Sequence, residues 1–184
     1  MTIDGTSSNA TGGHGVEIET AGTQVASLNG DITITGTSAN RNGVVLTDSA
    51  TIDATGSANI AMTGTAGGPD AAVQVDAPIN SNTGTVTVTS LNGASATDDI
   101  TFGAAGDITS TSGVITINAD NAGNTADVTM ADGTVINAGS GTIDIDADVD
   151  VTLGSLSTTS ASTTAVTINA IAGGVIDGGD LDTD

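Results

Sequence analysis

Thr85-Val86-Thr87-Val88-Thr89 places an aliphatic side chain at every second position and a threonine between each pair. Such a period-two pattern puts the valines on one face of an extended strand and the threonines on the other. The same alternation stands in Asp31-Ile32-Thr33-Ile34-Thr35 and in Thr142-Ile143-Asp144-Ile145-Asp146. β-branched Thr, Val and Ile suit a pleated surface. No segment carries an apolar stripe at helical spacing, so the expected class is all-β.

Working outward from these strands, three apolar columns recur in constant order. The first is a pair two residues apart: Val16/Ile18, Val44/Leu46, Val73/Val75, Ile100/Phe102, Val128/Met130 and Val166/Ile168. The second is a single anchor: Val25, Ile52, Ile79, Ile108, Ile136 and Ile176. The third is again a pair: Ile32/Ile34, Ile60/Met62, Val86/Val88, Ile115/Ile117 and Ile143/Ile145, followed by Leu181. Steps between first-column pairs are 28, 29, 27, 28 and 38 residues. The other two columns lengthen by a similar amount at the same place, which reads as one insertion within 146–165. Within it, Val149, Val151 and Leu153 have the spacing of an extra strand, and Ser157–Thr164 reads as a polar tip.

A fixed period with three short strands indicates a solenoid. We expect one segment spanning 1–184, a parallel β-helix of about six coils of roughly 28 residues, each strand pairing with its counterpart one coil away. At about 4.8 Å per coil the rod is on the order of 30 Å long. One glycine precedes the third strand in five coils (Gly30, Gly56, Gly84, Gly113, Gly141), and a positive φ at a tight corner would account for it. A β-sandwich is the runner-up, but it needs no apolar columns at constant period. Met1 and Ile3 alternate with polar residues like a third-column strand, and Leu181-Asp182-Thr183 reads as another. Both ends therefore fall in mid-repeat and look uncapped. A window from a longer repeat protein or a subunit that stacks head to tail would each explain that.

Composition narrows the function. The 184 residues hold 22 Asp+Glu against 1 Lys+Arg, a formal net charge of -21. Nucleic acid and anionic membrane surfaces both need basic side chains, and Arg41 is the only one. No run of apolar residues is long enough to span a bilayer, and no basic region with an apolar stretch follows Met1. Cysteine is absent, so compartment is not readable from disulfides.

Blocks such as Gly43-Val-Val-Leu-Thr-Asp-Ser-Ala-Thr-Ile-Asp-Ala-Thr-Gly56 and Gly133-Thr-Val-Ile-Asn-Ala-Gly-Ser-Gly-Thr-Ile-Asp-Ile145 resemble repeats of filamentous-haemagglutinin-like exoproteins and large autotransporter adhesins of Gram-negative bacteria. That resemblance implies a right-handed β-helix, secretion, and a place in a cell-surface fibre that serves adhesion or biofilm. Adhesion implies glycans or surface proteins of a host or matrix as partners, beside the neighbouring coils of a longer chain or identical subunits end to end that the uncapped ends suggest. The family's secretion domain and membrane barrel have no counterpart here.

A carbohydrate-binding or carbohydrate-active β-helix is a third and more distant alternative, and catalysis is not expected. Sugar-cleaving β-helices need clustered carboxylates with a cation and usually aromatic platforms. Here there is no lysine, tyrosine or tryptophan, and His14 stands alone in a Gly13-His14-Gly15 turn, so no nucleophile–base set can be built. Calcium is the one cofactor worth weighing. Strand alternation would turn Asp144, Asp146, Asp148 and Asp150 to one face, and coil alignment would set Asp182 and Asp184 beside Asp144 and Asp146. A hard cation would relieve their repulsion; a solvated acidic face is the alternative. Asp53, Asn80, Thr109, Asn137 and Asp177 form a polar ladder beside the middle anchor, read as structural. Outward Thr33/Thr35, Thr87/Thr89 and Thr116/Asn118 raise the thought of ice binding, but Ala61 and Asp144/Asp146 break the array. Asn9-Ala10-Thr11 matches a glycosylation sequon, a match expected by chance in this composition. Connections from third to first strands are the expected place for recognition.

Overall fold

A computed structural model of the chain describes residues 1–8, 12–91, 99–119 and 125–178. Every element among them is a strand. The chain opens with β1 (Thr2–Ser7), β2 (Val16–Ile18), β3 (Gln24–Ser27) and β4 (Ile32–Ser38). It continues with β5 (Val44–Leu46), β6 (Thr51–Ala54), β7 (Ile60–Ala66), β8 (Val73–Val75), β9 (Ile79–Ser81) and β10 (Val86–Ser90). Then come β11 (Ile100–Phe102), β12 (Ile108–Ser110), β13 (Ile115–Ala119), β14 (Val128–Met130), β15 (Val135–Asn137) and β16 (Ile143–Ala147). The last are β17 (Val151–Leu153), β18 (Ser155–Ser157), β19 (Val166–Ala170) and β20 (Val175–Asp177).

These strands form three parallel sheets. The first-column sheet runs β2-β5-β8-β11-β14-β17-β20, the second β3-β6-β9-β12-β15-β18, and the third β1-β4-β7-β10-β13-β16-β19. The protein is thus a parallel β-solenoid of about six coils. Register follows the apolar columns: Val44 pairs with Val73, Ile52 with Ile79, and Ile32 with Ile60. Ile3 belongs to a third-column strand as expected, opposite Ile34, and Met1 directly precedes that strand.

The reason is burial. A single coil has an apolar face and nothing to cover it, so only stacking removes that face from water. Ile32, Ile60, Val86, Ile115 and Ile143 are fully buried in one line, and Ile52, Ile79, Ile108 and Ile136 in another. Each such side chain contributes roughly 1.5–3 kcal/mol of transfer free energy. Phe102 and Met130 occupy the same column as Val75, so the interior takes larger side chains without a change of register.

Two expectations need correction. The stretch 146–165 is not an insertion, because β17 and β18 lie inside it and fill the first and second sheets. Val151 pairs with Val128, and Leu156 with Ile136. Val166/Ile168 are third-column residues opposite Ile143/Ile145, and Ile176 lies in the first sheet opposite Thr152. The sixth coil is short rather than long, advancing 23 residues from Ile143 to Val166. Ser157–Thr164 is no free tip either: Thr158 Oγ1 donates to Gly141 O at 2.6 Å and Thr159 N to Gly139 O at 2.6 Å.

The corner glycines also serve a different end. None of Gly30, Gly56, Gly84, Gly113 and Gly141 has positive φ; the described glycines that do are Gly12, Gly22, Gly133 and Gly139. Close backbone approach explains most of them instead. A Cβ on Gly84 would lie 1.9 Å from Ala58 O, and one on Gly113 1.8 Å from Gly84 O.

Candidate functional site

Several acidic residues, Asp31, Asp99, Asp127 and Asp150 among them, fall into structural ladders. Asp144 and Asp146 do share the outer face of β16, but their neighbours across the sheet are Thr116 and Asn118 on one side and Thr167 and Asn169 on the other. No carboxylate stands one coil away in either direction. The alternation that was to align Asp148 and Asp150 with them stops at Ala147, where β16 ends. Asp148 turns inward at the corner with 7% of its surface exposed. Leu181, Asp182 and Asp184 lie outside the described residues, as does the Asn9-Ala10-Thr11 sequon. Among the described residues no three His, Asp or Glu are placed to hold a metal ion.

Asp150 belongs instead to a ladder at the corner that enters the first sheet. Asp127 N donates to Asp99 Oδ1 at 2.9 Å, Asp150 N to Asp127 Oδ1 at 2.8 Å, and Gly174 N to Asp150 Oδ1 at 2.7 Å. Each carboxylate thus receives a main-chain N–H of the coil above, a charge-assisted bond stronger than a neutral one. The corner entering the third sheet repeats the device: Asn59 N donates to Asp31 Oδ1 and Thr85 N to Asn59 Oδ1, both at 2.9 Å. The sequence held the signal, since an Asp directly precedes Ile100, Val128 and Val151.

The ladder on the second sheet is real but shorter than expected. Asp53, Asn80, Thr109 and Asn137 follow one another in register, and Ser157 rather than Asp177 continues them. Asp177 lies in the first sheet opposite Leu153. Burial pushes the Asp53 carboxyl up, but hydrogen bonds from Gln24, Asn80 and Thr51 outweigh it and hold the group below its ordinary value. Asp144 shifts the other way, raised by burial and by the charge of Asp146.

One groove gathers mixed chemistry. It lies on the outer face of the first sheet near its start, with a volume of about 550 Å³, and Glu17, Val45, Gln74 and Thr101 form its floor. Those four occupy one rank on consecutive strands β2, β5, β8 and β11. The wall comes from three stacked corners. Pairing of Val16, Val44 and Val73 sets the corner positions of His14 and Asn42 one coil apart, and likewise those of Arg41 and Asp70. Arg41 Nε meets Asp70 Oδ2 at 3.0 Å across the coils. His14 is largely covered, its Nε2 3.9 Å from Glu17 Oε1, and its Nδ1 is the one buried side-chain polar atom without a partner among the described residues. Asn42 Nδ2 donates to Gln74 Oε1 at 3.2 Å, and Gln74 Nε2 to Asp76 Oδ2 at 2.5 Å. Sequence reading took His14 for a solvated turn residue and gave Arg41 no place. Only the solenoid register brings residues 27 or more apart to one wall.

No protein-family model matches the chain, and no curated protein or solved structure matches it significantly.

Proposed function

We propose that this solenoid is a structural repeat segment of an extracellular bacterial surface fibre or adhesin, giving length and stiffness for display, adhesion or biofilm. The observation that carries the reading is the unbroken aliphatic interior, in which every coil adds three parallel strands in the register of the last. Stability then grows with coil number through nearest-neighbour contacts, which is how a long rod can be built from one weak unit. The resemblance of Gly43–Gly56 and Gly133–Ile145 to exported adhesin repeats supplies the location. A formal charge of -21 supports solubility of such a rod in water. The role is mechanical and not catalytic, in keeping with a chain that has no lysine, one arginine and one histidine.

Immunogold labelling of intact cells with antibody against this segment tests the proposal. Gold at a distance from the outer surface is expected; labelling only after permeabilisation would overturn it.

A second reading is a filament subunit whose coils stack end to end. The observation favouring it is the apolar surface on the last described strands, where Val175 is 52% and Ile176 47% exposed. Edge strands of this kind template a further parallel strand, from the next coil of the same chain or from another copy. Sedimentation at rising concentration distinguishes the two, because only the second gives mass that grows with concentration.

A further inference from the structure

We propose that the groove walled by His14, Arg41 and Asp70 is a binding site for a neutral sugar unit. It goes beyond the rod reading without resting on it, since a rod that binds no sugar here is still a rod.

Volume comes first. About 550 Å³ lies in the range of small-molecule sites, roughly 300–1,000 Å³, and is ample for a single pyranose. The second point is the alternation of donors and acceptors around the rim. Asp70 takes only the Nε of Arg41, and no hydrogen bond ties the guanidinium's terminal nitrogens to the described residues. The Glu17 carboxylate and the side chain of Gln74 line the same groove on its floor. Each sugar hydroxyl both donates and accepts, so a vicinal pair suits a guanidinium beside a carboxylate.

Third is the gap between His14 and Glu17. At 3.9 Å, Nε2 and Oε1 are too far apart for a direct hydrogen bond. A hydroxyl placed between them would accept from Nε2–H and donate to the carboxylate, which is the place a bridging water would otherwise take.

Charge selects among sugars. Two carboxylates, Glu17 and Asp70, surround the single Arg41 in a chain of net charge -21, so an acidic sugar meets repulsion that a neutral one does not. With no aromatic platform the affinity is weak, roughly millimolar for one unit. Display of many rods would raise the effective strength through multivalency.

The test is an amide-resolved NMR titration of the full chain with the methyl glycosides of glucose, galactose, mannose and N-acetylglucosamine, and with methyl glucuronide as the acidic comparison. At least one neutral glycoside should give saturable shifts at Asn42, Val45 and Gln74. Arg41→Ala should weaken that binding about tenfold, close to 1.4 kcal/mol, and Glu17→Gln should weaken it while leaving the fold intact. Asp53→Asn on the second sheet should leave it unchanged. The proposal is overturned by any of three results: no saturable shift with any neutral glycoside, equal binding in Arg41→Ala, or tighter binding of the glucuronide than of the glucoside. Surface immunogold labelling remains positive in each of these cases if the rod reading holds, so the two failures are distinguishable.

Discussion

The first three third-column strands and the last four end differently, although they lie in one sheet. β1, β4 and β7 run six or seven residues, whereas β10, β13, β16 and β19 run five. The divide falls at one register position, occupied by Gly5, Gly36 and Gly64 and then by Ser90, Ala119, Ala147 and Ala170. Over the glycines the chain entering the first sheet passes backbone to backbone: a Cβ on Gly36 would lie 2.0 Å from Gly43 O, and one on Gly64 2.0 Å from Ala72 O. Where a Cβ is present at Ala147 and Ala170, the strand stops at that residue. A single methyl or hydroxymethyl group therefore decides how sharply a coil turns, while the core beneath stays the same.

If the core is common to both halves, Ile34→Ala and Ile117→Ala should each lose about 4 kcal/mol, since both side chains are fully buried. Chemical denaturation would show this as equal shifts of one transition. Unequal losses, or two transitions, would mean that the halves unfold separately.

Next in size is the corner itself. Gly36→Ala forces a methyl into main-chain atoms that have no free side chain to move, and about 3 kcal/mol should be lost. Ala119→Gly, the reverse change in the other half, should lose only about 1.5 kcal/mol, through a missing buried methyl and a looser backbone. Comparable losses from the two substitutions would abolish the distinction drawn between the two kinds of corner.

The halves also differ in the sign of their acid response. Asp53 has its carboxyl held low, so its contribution is present at neutral pH and lost as pH falls through that lowered value. Asp144 has its carboxyl raised, so the ionised form is penalised in the fold and stability is gained as pH falls through the raised value. Both groups are half-buried at the surface, and solvent screening keeps each effect small. Asp53→Asn should lower the melting temperature at neutral pH, and Asp144→Asn should raise it, each by no more than about 0.5 kcal/mol in stability. The Asp144 difference should vanish near pH 3, below the ordinary carboxylate value of about 3.9, and the Asp53 difference should persist to a lower pH, fading only below its depressed value. Melting curves at the two pH values check the pair, and a common sign would contradict it. The smallest expected effect is that of EDTA: with threonine and asparagine flanking Asp144 and Asp146, the melting temperature should not move. A rise on adding calcium would restore a metal role.

Much of the fold was legible in the sequence because burial leaves a periodic trace. Five coils could be aligned from Val/Ile pairs alone. The sixth was misread because a step of 38 residues between similar pairs looks the same whether chain has been inserted or a strand has been counted in the wrong sheet. Thr167-Ile168-Asn169-Ala170 repeats Thr116-Ile117-Asn118-Ala119, and that identity, including the small residue after Asn, is the signal that marks the strand as third-column. The groove was hidden for a different reason. His14, Arg41 and Asp70 have no mutual spacing that marks a motif, and only coil register brings them together. The carboxylate ladders were half visible: the Asp before Ile100, Val128 and Val151 repeats, but its bond to the next coil's N–H is a three-dimensional fact.

The shortened sixth coil has a consequence for the molecule as a carrier. Its three strands keep register with the coil below despite the loss of several residues, so perimeter varies while axial rise does not. Such a rod behaves as a ruler with fixed graduations and free width. Anything grafted onto a corner would be presented at a height set by its coil number alone, whatever the length of the graft.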